Sequence, residues 1–313
     1  MSVEVLAANL TTKRPRARAL TLGRDQRWLL AVPMTLFFLV FFAFPVLSLL
    51  AVSLDKPMPG VVTAHGDFVL TNYIRFFSLP QYYEAAVRTL WISAVSTLIA
   101  AILGYPLAHV VAKTEHPLWS TVLMILVLAS MQLDGVIRLY GLMVLLGDNG
   151  LINGTLIRWH SIDKPMPLMY NVFGVIVGTV QITLPFMVLS LIGVIRSINP
   201  SLEEAARSLG ASRWRAFCSV TLPLTMPGLL AGMVLVFALA SSSYVVAALM
   251  GGWKVWVIPI HIYERISNSG QWQFGAAIST ILFLINMCAV FVYQVVASRV
   301  AGGRVCAIRP AFP

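Results

Sequence analysis

The chain has 313 residues, of which 58% are hydrophobic and only 11% charged, with a mean hydropathy of +0.84 and a formal net charge of +10. A soluble domain carries about 25% charged residues, so this is the composition of an integral membrane protein. The basic residues are not gathered into one stripe with interleaved aromatics, which argues against a nucleic-acid face; Cys218, Cys288 and Cys306 lie far apart, with no CxxC and no histidines at ligand spacing, so neither a disulfide framework nor a metal site is supported.

Residues 1–27 are polar and basic and read as a cytoplasmic tail. The uncharged run from Trp28 to Leu54 is longer than the core of a cleavable signal peptide, of about 7–15 residues, and reads as a retained first span. The stretch from Asp55 to Arg88, with Tyr73, Phe76, Phe77, Tyr82 and Tyr83, suits either an interfacial helix in the aromatic belt or a plain connector. A second span is expected over 89–111, followed by a tight turn through Lys113, Glu115 and Pro117. From Leu118 to Leu133 the chain is uncharged for about 24 Å of a hydrocarbon core of about 30 Å, so the third span is expected to continue through Asp134, over 118–138.

Asp148-Asn149-Gly150 signals a turn, and 147–167 reads as a loop outside the membrane. Further spans are expected over 168–195, 222–250 and 274–298, with a basic tail over 299–313. Gly174 and Gly178, like Gly228 and Gly232, have the small-xxx-small spacing that lets helices approach closely, although glycine is also simply common in membrane helices. The expectation is an all-α membrane protein of six transmembrane helices.

Between the fourth and fifth spans lies a polar, helix-prone segment over 196–221. Pro200 suits a first helical turn, and Ser201 with Glu204 has the spacing of a capping box. Leu202, Ala205, Ala206 and Leu209 recur at helical spacing as a small apolar face, leaving Glu203, Arg207 and Ser208 to water; Gly210 tolerates the positive φ that ends a helix, and Ser212 can cap the next one.

Glu204-Ala205-Ala206, three residues, Gly210, nine residues, then Val220-Thr221-Leu222-Pro223 resemble the EAA loop of ABC-importer permeases, with Val220 in place of the family's isoleucine. The resemblance implies a cytoplasmic coupling helix seated in a cleft of an ATPase subunit, a role that falls on Glu203, Glu204, Ala205, Ala206 and Gly210 here. Leu145–Asn153, Leu184–Leu189 and Phe274–Ala277 also resemble the PotB-type branch of these permeases, over most of the chain from about Leu70 to Phe283. That implies a type I importer permease of the bacterial inner membrane. It would work with a second permease, ATPase subunits that use the ATP, and a periplasmic solute-binding protein, and bind no cofactor itself. The implied solute is a polyamine or related organic cation; opine-like compounds, ferric iron, thiosulfate and phosphonates are the alternatives.

Charge then orients the chain. The face of the N-terminus holds fourteen of the 22 Lys and Arg and five of the 12 acids, about +9 against +1 for the other face, so both termini and the coupling segment are expected inside. There is no GxxxxGK[ST], HExxH or Ser/His/Asp set, so the chain is not expected to be an enzyme or to power transport itself. An ion-coupled secondary transporter would more often carry ionisable groups at mid-membrane, which the clean spans lack; His109 reads as an interfacial histidine rather than a proton relay. Asp134 and Arg138 could mark a substrate path completed by Gln132, Gln181, Thr183, Ser241, Ser242, Ser243 and Tyr244, or could form a structural ion pair four residues apart on one helix face.

Overall fold

The computed structural model describes residues 27–58, 60, 66–114 and 116–305, and among these the only regular structure is helical. Of the tails expected at 1–27 and 299–313, residues 1–26 and 306–313 lie outside the described residues, while Arg27 opens the first helix and 299–305 continue the last one rather than starting a tail. The chain divides into two units, Met1–Leu49 and Leu50–Pro313. The first holds α1 (Arg27–Phe38), a π-helical turn (Leu39–Ala43) and the start of α2 (Phe44–Ser53). Its phenylalanines are exposed but stack in pairs one turn apart, Phe37 on Phe41 at 4.7 Å and Phe38 on Phe42 at 4.8 Å, an all-round apolar surface suited to lipid.

The second unit runs through α3 (Thr71–Ser78), α4 (Pro80–Lys113), α5 (Pro117–Gln132), α6 (Gly135–Leu146), α7 (Leu151–Arg158) and α8 (Val172–Ser197). It continues with α9 (Ser201–Ser208), α10 (Arg213–Ala216), a π-helical turn (Phe217–Thr221), α11 (Leu222–Ser241) and α12 (Tyr244–Gly251). It ends with α13 (Ile258–Tyr263), a third π-helical turn (Glu264–Asn268) and α14 (Trp272–Val305). Asn72 in α3 donates to the Ser53 and Asp55 carbonyls at 3.0 and 2.9 Å, so the stretch after α2 is an anchored short helix rather than a plain connector.

Six helical stretches are long and apolar enough to cross a membrane: Val32–Ser53, Pro80–Lys113, Gly135–Arg158, Val172–Ser197, Arg213–Ser241 and Trp272–Val295. The third differs from the expected 118–138. α5 stops at Gln132, Leu133 is extended, and Asp134 opens α6 as its N-cap, its Oδ1 accepting the Val136 N–H at 2.8 Å. An aspartate satisfies an orphan N–H at a helix start better than it tolerates a helix interior, so the apolar run breaks where the sequence suggested continuity. The fifth run also breaks: α11 ends at Ser241, and α12 starts after Ser242 and Ser243. The expected loop at 147–167 contains α7, held by buried Asn153, which donates to the Gly147 and Met166 carbonyls at 3.1 Å.

α4, α8 and α11 pack against one another, with α5 beside α4 and α8, α6 and α12 on α8, and α14 on α11. One buried cluster joins Tyr105, Ala108 and Val111 of α4 to Met187, Leu191 and Ile195 of α8 and Val236 of α11; another joins Leu139, Val175, Val180 and Met250. The glycine pairs serve close approach. A Cβ at Gly178 would lie 2.9 Å from Met250 Cγ, and one at Gly232 would fall on the Ser190 hydroxyl and 2.9 Å from Met187 Sδ. Gly232→Val should therefore overpack α11 against α8 and cost about 1–3 kcal/mol. Gly141→Ala, where nothing lies within 4 Å, should be neutral. Thermal unfolding of the purified protein in detergent checks both, and equal melting temperatures would refute this account of the packing.

Candidate functional site

The segment between α8 and α11 folds as its local signals require, with one substitution of partners. The expected capping box is absent: Asn199 Oδ1 accepts the Ser201 N–H at 3.0 Å, and Pro200 occupies the cap position without a side-chain bond. At the other end Gly210 takes φ +88°, the Ala211 N–H reaches the Ala206 carbonyl at 3.1 Å and the Gly210 N–H reaches the Arg207 carbonyl at 3.0 Å. This closure needs a residue without a Cβ penalty in the left-handed region. Ser212 Oγ accepts the Arg215 N–H at 3.3 Å and caps α10.

The facing of α9 differs from the expected one at Glu203, while Arg207 and Ser208 are exposed as expected. Glu203, expected to face water, is half-buried, and its Oε1 accepts both Lys113 Nζ, from the last residue of α4, and Thr221 Oγ1, from the end of the π-helical turn that opens α11. Burial raises the Glu203 carboxyl pKa, but the hydrogen bonds from Lys113 and Thr221 outweigh it and hold the group below the usual carboxylate range. The carboxylate is thus the charged form that ties α9 to two of the three central helices. The apolar face of α9 points outward, with Leu202 47% and Leu209 90% exposed, and Glu204 and Ala205 are exposed beside them. Ala206 is half-buried beneath.

Around this tie the rings are close. His109 lies between Tyr105 at 6.4 Å and Phe217 at 5.5 Å, and Trp214 stacks on Phe217 at 5.5 Å. Tyr105 Oη and Thr225 Oγ1 share a hydrogen bond of 2.8 Å between α4 and α11. Arg196, near the end of α8, donates to Ser120 at 3.3 Å, and Ser120 to the Val111 carbonyl at 2.9 Å, so α4, α5 and α8 are joined at the same end. Lys113 stood out in the sequence only as a turn residue and Thr221 only as the variable position of the motif; no spacing signal links either to Glu203.

The residues considered for a substrate path make mostly local contacts. Gln132 is the exposed last residue of α5. Asp134 and Arg138 do not pair, because Asp134 is engaged as a cap and the ion pairs among the described residues are Lys56–Asp67 and Lys113–Glu203. Arg138 Nε and Gln181 Oε1 are buried without a hydrogen-bond partner. Thr183 Oγ1 donates to its own helix at Thr179, and Ser242 to Ala238 at 2.9 Å. Ser241 reaches Asn286 Oδ1 of α14 at 2.8 Å, and Tyr244 stacks on Tyr263 at 4.7 Å. No group of three or more His, Cys, Asp or Glu placed to hold a metal ion occurs among the described residues.

The chain is similar to PotB, the spermidine/putrescine transport system permease protein of Escherichia coli (strain K12), at 38% identity over 226 residues, 72% of this chain and 82% of that protein. The Haemophilus influenzae PotB is 37% identical over 224 residues, 72% and 78% of the two chains. The sulfate transport system permease protein CysW of Synechocystis sp. is 26% identical over 275 residues, 86% and 92% of the two. Among solved structures, the fold matches a chain of a bacterial alginate ABC transporter in complex with an alginate pentasaccharide-bound periplasmic protein, with a TM-score of 0.71, covering 89% of this chain and 98% of that one at 19% identity. It also matches a chain of the MetNI methionine ABC transporter in an inward-facing conformation, with a TM-score of 0.51, 71% and 99% coverage and 15% identity. The family "Binding-protein-dependent transport system inner membrane component" matches residues 19–302. The chain belongs to that family and is a multi-pass inner-membrane permease subunit of an ABC importer.

Proposed function

We propose that this permease imports spermidine, putrescine or a closely related polyamine, paired with a second permease, powered by separate ATPase subunits that use the ATP, and supplied by a periplasmic solute-binding protein. The identity to PotB-type permeases supports the solute, since it exceeds that to the sulfate permease over a comparable share of the chain. The observation that carries the coupling role is the orientation of α9. Glu203 anchors the helix inward, while Leu202, Glu204, Ala205 and Leu209 are left without partners on the outward face. An exposed apolar patch with polar neighbours on a short anchored helix suits a docking surface, here for the ATPase. Gly210 sets the angle at which that surface is presented. The basic excess on the same face of the chain supports placing α9 and both termini in the cytoplasm.

In this arrangement Glu203 is a positioning residue rather than an ATPase contact. Lys113 closes α4 and Thr221 leads into α11, so a displacement of α9 is passed through one carboxylate to both helices. Charge-assisted hydrogen bonds are shorter and about twice as strong as neutral ones, which suits a tie that has to persist through each cycle.

The assembled complex in proteoliposomes should take up labelled spermidine in an ATP-dependent manner, with competition by putrescine and none by sulfate. Gly210→Val, strained by about 1–2 kcal/mol in the left-handed region, and Glu204→Lys should both leave the protein in the membrane while uptake and co-purification of the ATPase fall. Normal uptake and normal ATPase recovery in both variants would remove the coupling assignment. For the internal tie, Glu203→Lys and Lys113→Glu should each uncouple hydrolysis from uptake, and the double exchange should restore at least a third of the wild-type uptake per ATP. A double exchange no better than either single variant would show that the contact has no part in coupling. Membrane-impermeant maleimide applied from the periplasm should label a cysteine at Lys254 and not one at Ser212; the opposite pattern would invert the topology.

A further inference from the structure

At the end of α4 remote from Lys113, the first turns of that helix, Trp256 and α13 with its π-helical extension enclose a recess of about 350 Å3. Glu84 and Arg88 reach it from α4, and Glu264 and Arg265 from the π-helical turn, a feature found often at functional sites. None of these four charges is ion-paired with another, for the ion pairs among the described residues lie elsewhere. The two cations are engaged locally: Arg88 donates to the Trp256 carbonyl at 3.3 Å, and the Arg265 guanidinium lies 5.8 Å from the centre of the Tyr82 ring. Glu264 receives the Asn268 amide at 2.6 Å on Oε2 alone.

His261 lines the recess and is only 5% exposed, yet its Nε2 has no hydrogen-bond partner. The ring also lies against the backbone of Gln81, and an Nε2 without a partner is placed to accept in the neutral imidazole. Burial first, and then the neighbouring Arg265, push its pKa down to about 4, so the neutral form is the one present at pH 7. Tyr82, fully buried with its ring 5.0 Å from that of His261, has an unpaired hydroxyl as well. Buried polar atoms are ordinarily paired, and a cluster of unpaired ones beside a cavity marks a place for a guest.

The acceptor positions open on the recess are His261 Nε2 and the carboxylates of Glu84 and Glu264, with the unpaired Tyr82 hydroxyl, able to accept or to donate, buried beside His261. An ammonium group brings three donors and no acceptor, and the Trp256 ring adds an aromatic face to receive a cation. Arg265 Nε is buried without a partner, and with Arg88 this residue keeps the recess electrically balanced. A transported ion needs a site favourable enough to enter and weak enough to leave, which a fully anionic pocket would not provide.

We propose that this recess binds the primary ammonium group of an organic cation, as a resting point on the solute's route at the end of the permease opposite α9. The identity of that cation rests on the polyamine reading above. Spermidine titrated by calorimetry into the assembled permease–ATPase complex in lipid nanodiscs, without binding protein, should bind. Glu264→Gln and Trp256→Ala should each weaken it fivefold or more without changing the elution of the complex on gel filtration. 4-Aminobutyrate, which has the same ammonium group and adds a carboxylate, should bind at least tenfold more weakly. Wild-type affinity in a Glu84→Gln, Glu264→Gln double variant, or tighter binding of 4-aminobutyrate than of spermidine, overturns the proposal. The two readings fail differently. Spermidine that binds in the recess but is never imported by the wild-type complex removes the polyamine assignment and leaves the recess standing; normal import with unaltered affinity in the variants removes the recess and leaves the assignment.

Discussion

Within a hydrocarbon layer each backbone N–H and C=O has to find its partner inside the chain, because an unsatisfied group costs several kcal/mol there and no water can take its place. That constraint accounts for the helix-only architecture of the described residues and for the positions at which helices are allowed to stop. α5 gives way to α6 where the Asp134 carboxylate takes over one orphan donor, and α11 gives way to α12 where Ser241 and Ser242 return their hydroxyls to the Ala238 carbonyl. α8 begins where Asn171 Oδ1 accepts the Gly174 N–H at 2.8 Å. At these three places the interruption in the apolar run coincides with a small polar side chain that hydrogen-bonds the backbone.

Once the helices exist, the hydrophobic effect no longer distinguishes neighbours from lipid, and contact area decides which helices associate. Gly178 and Gly232 remove the side chains that would hold α8 away from α12 and α11, and the volume is filled by Met250, Val246, Met187 and Ser190. The same economy does not operate at the end where α9 lies. There, specificity comes from a single carboxylate shared between an ammonium and a hydroxyl, with the His109, Phe217 and Trp214 rings packed beside it. Such a contact is directional where glycine packing is not, so the two kinds of interaction divide the work of holding the bundle together and fixing the attitude of α9.

How far the sequence could be read depended on how local each feature is. Gly210 with its positive φ, Ser212 as a cap and α9 itself follow from residues within one or two turns, and the structure has them as expected. The facing of α9 does not, because a short helix with Leu202 and Leu209 on one side and Glu203 on the other is turned by whatever meets it, and Lys113 and Thr221 come from remote segments. The break at Leu133–Asp134 was hidden by an apolar run that continues on both sides; hydropathy counts Asp134 as one charge in a span, whereas its backbone uses it as a helix start. The recess around His261 was not legible for the same reason as the facing of α9, being assembled from the start of α4, Trp256 and a π-helical turn that are remote in sequence.

The length of α4 ties these two ends together. From Arg88 near the recess to Lys113 at the Glu203 carboxylate, the helix is continuous, about 38 Å at about 1.5 Å per residue, with Pro106 inside its last two turns. A rod of that length turns small rotations into large excursions: a tilt of about 5° about one end carries the other through about 3 Å, more than the reach of a hydrogen bond. A displacement at one end of α4 is therefore carried to the other through the leverage of one element, without any relay of rearranged side chains between them.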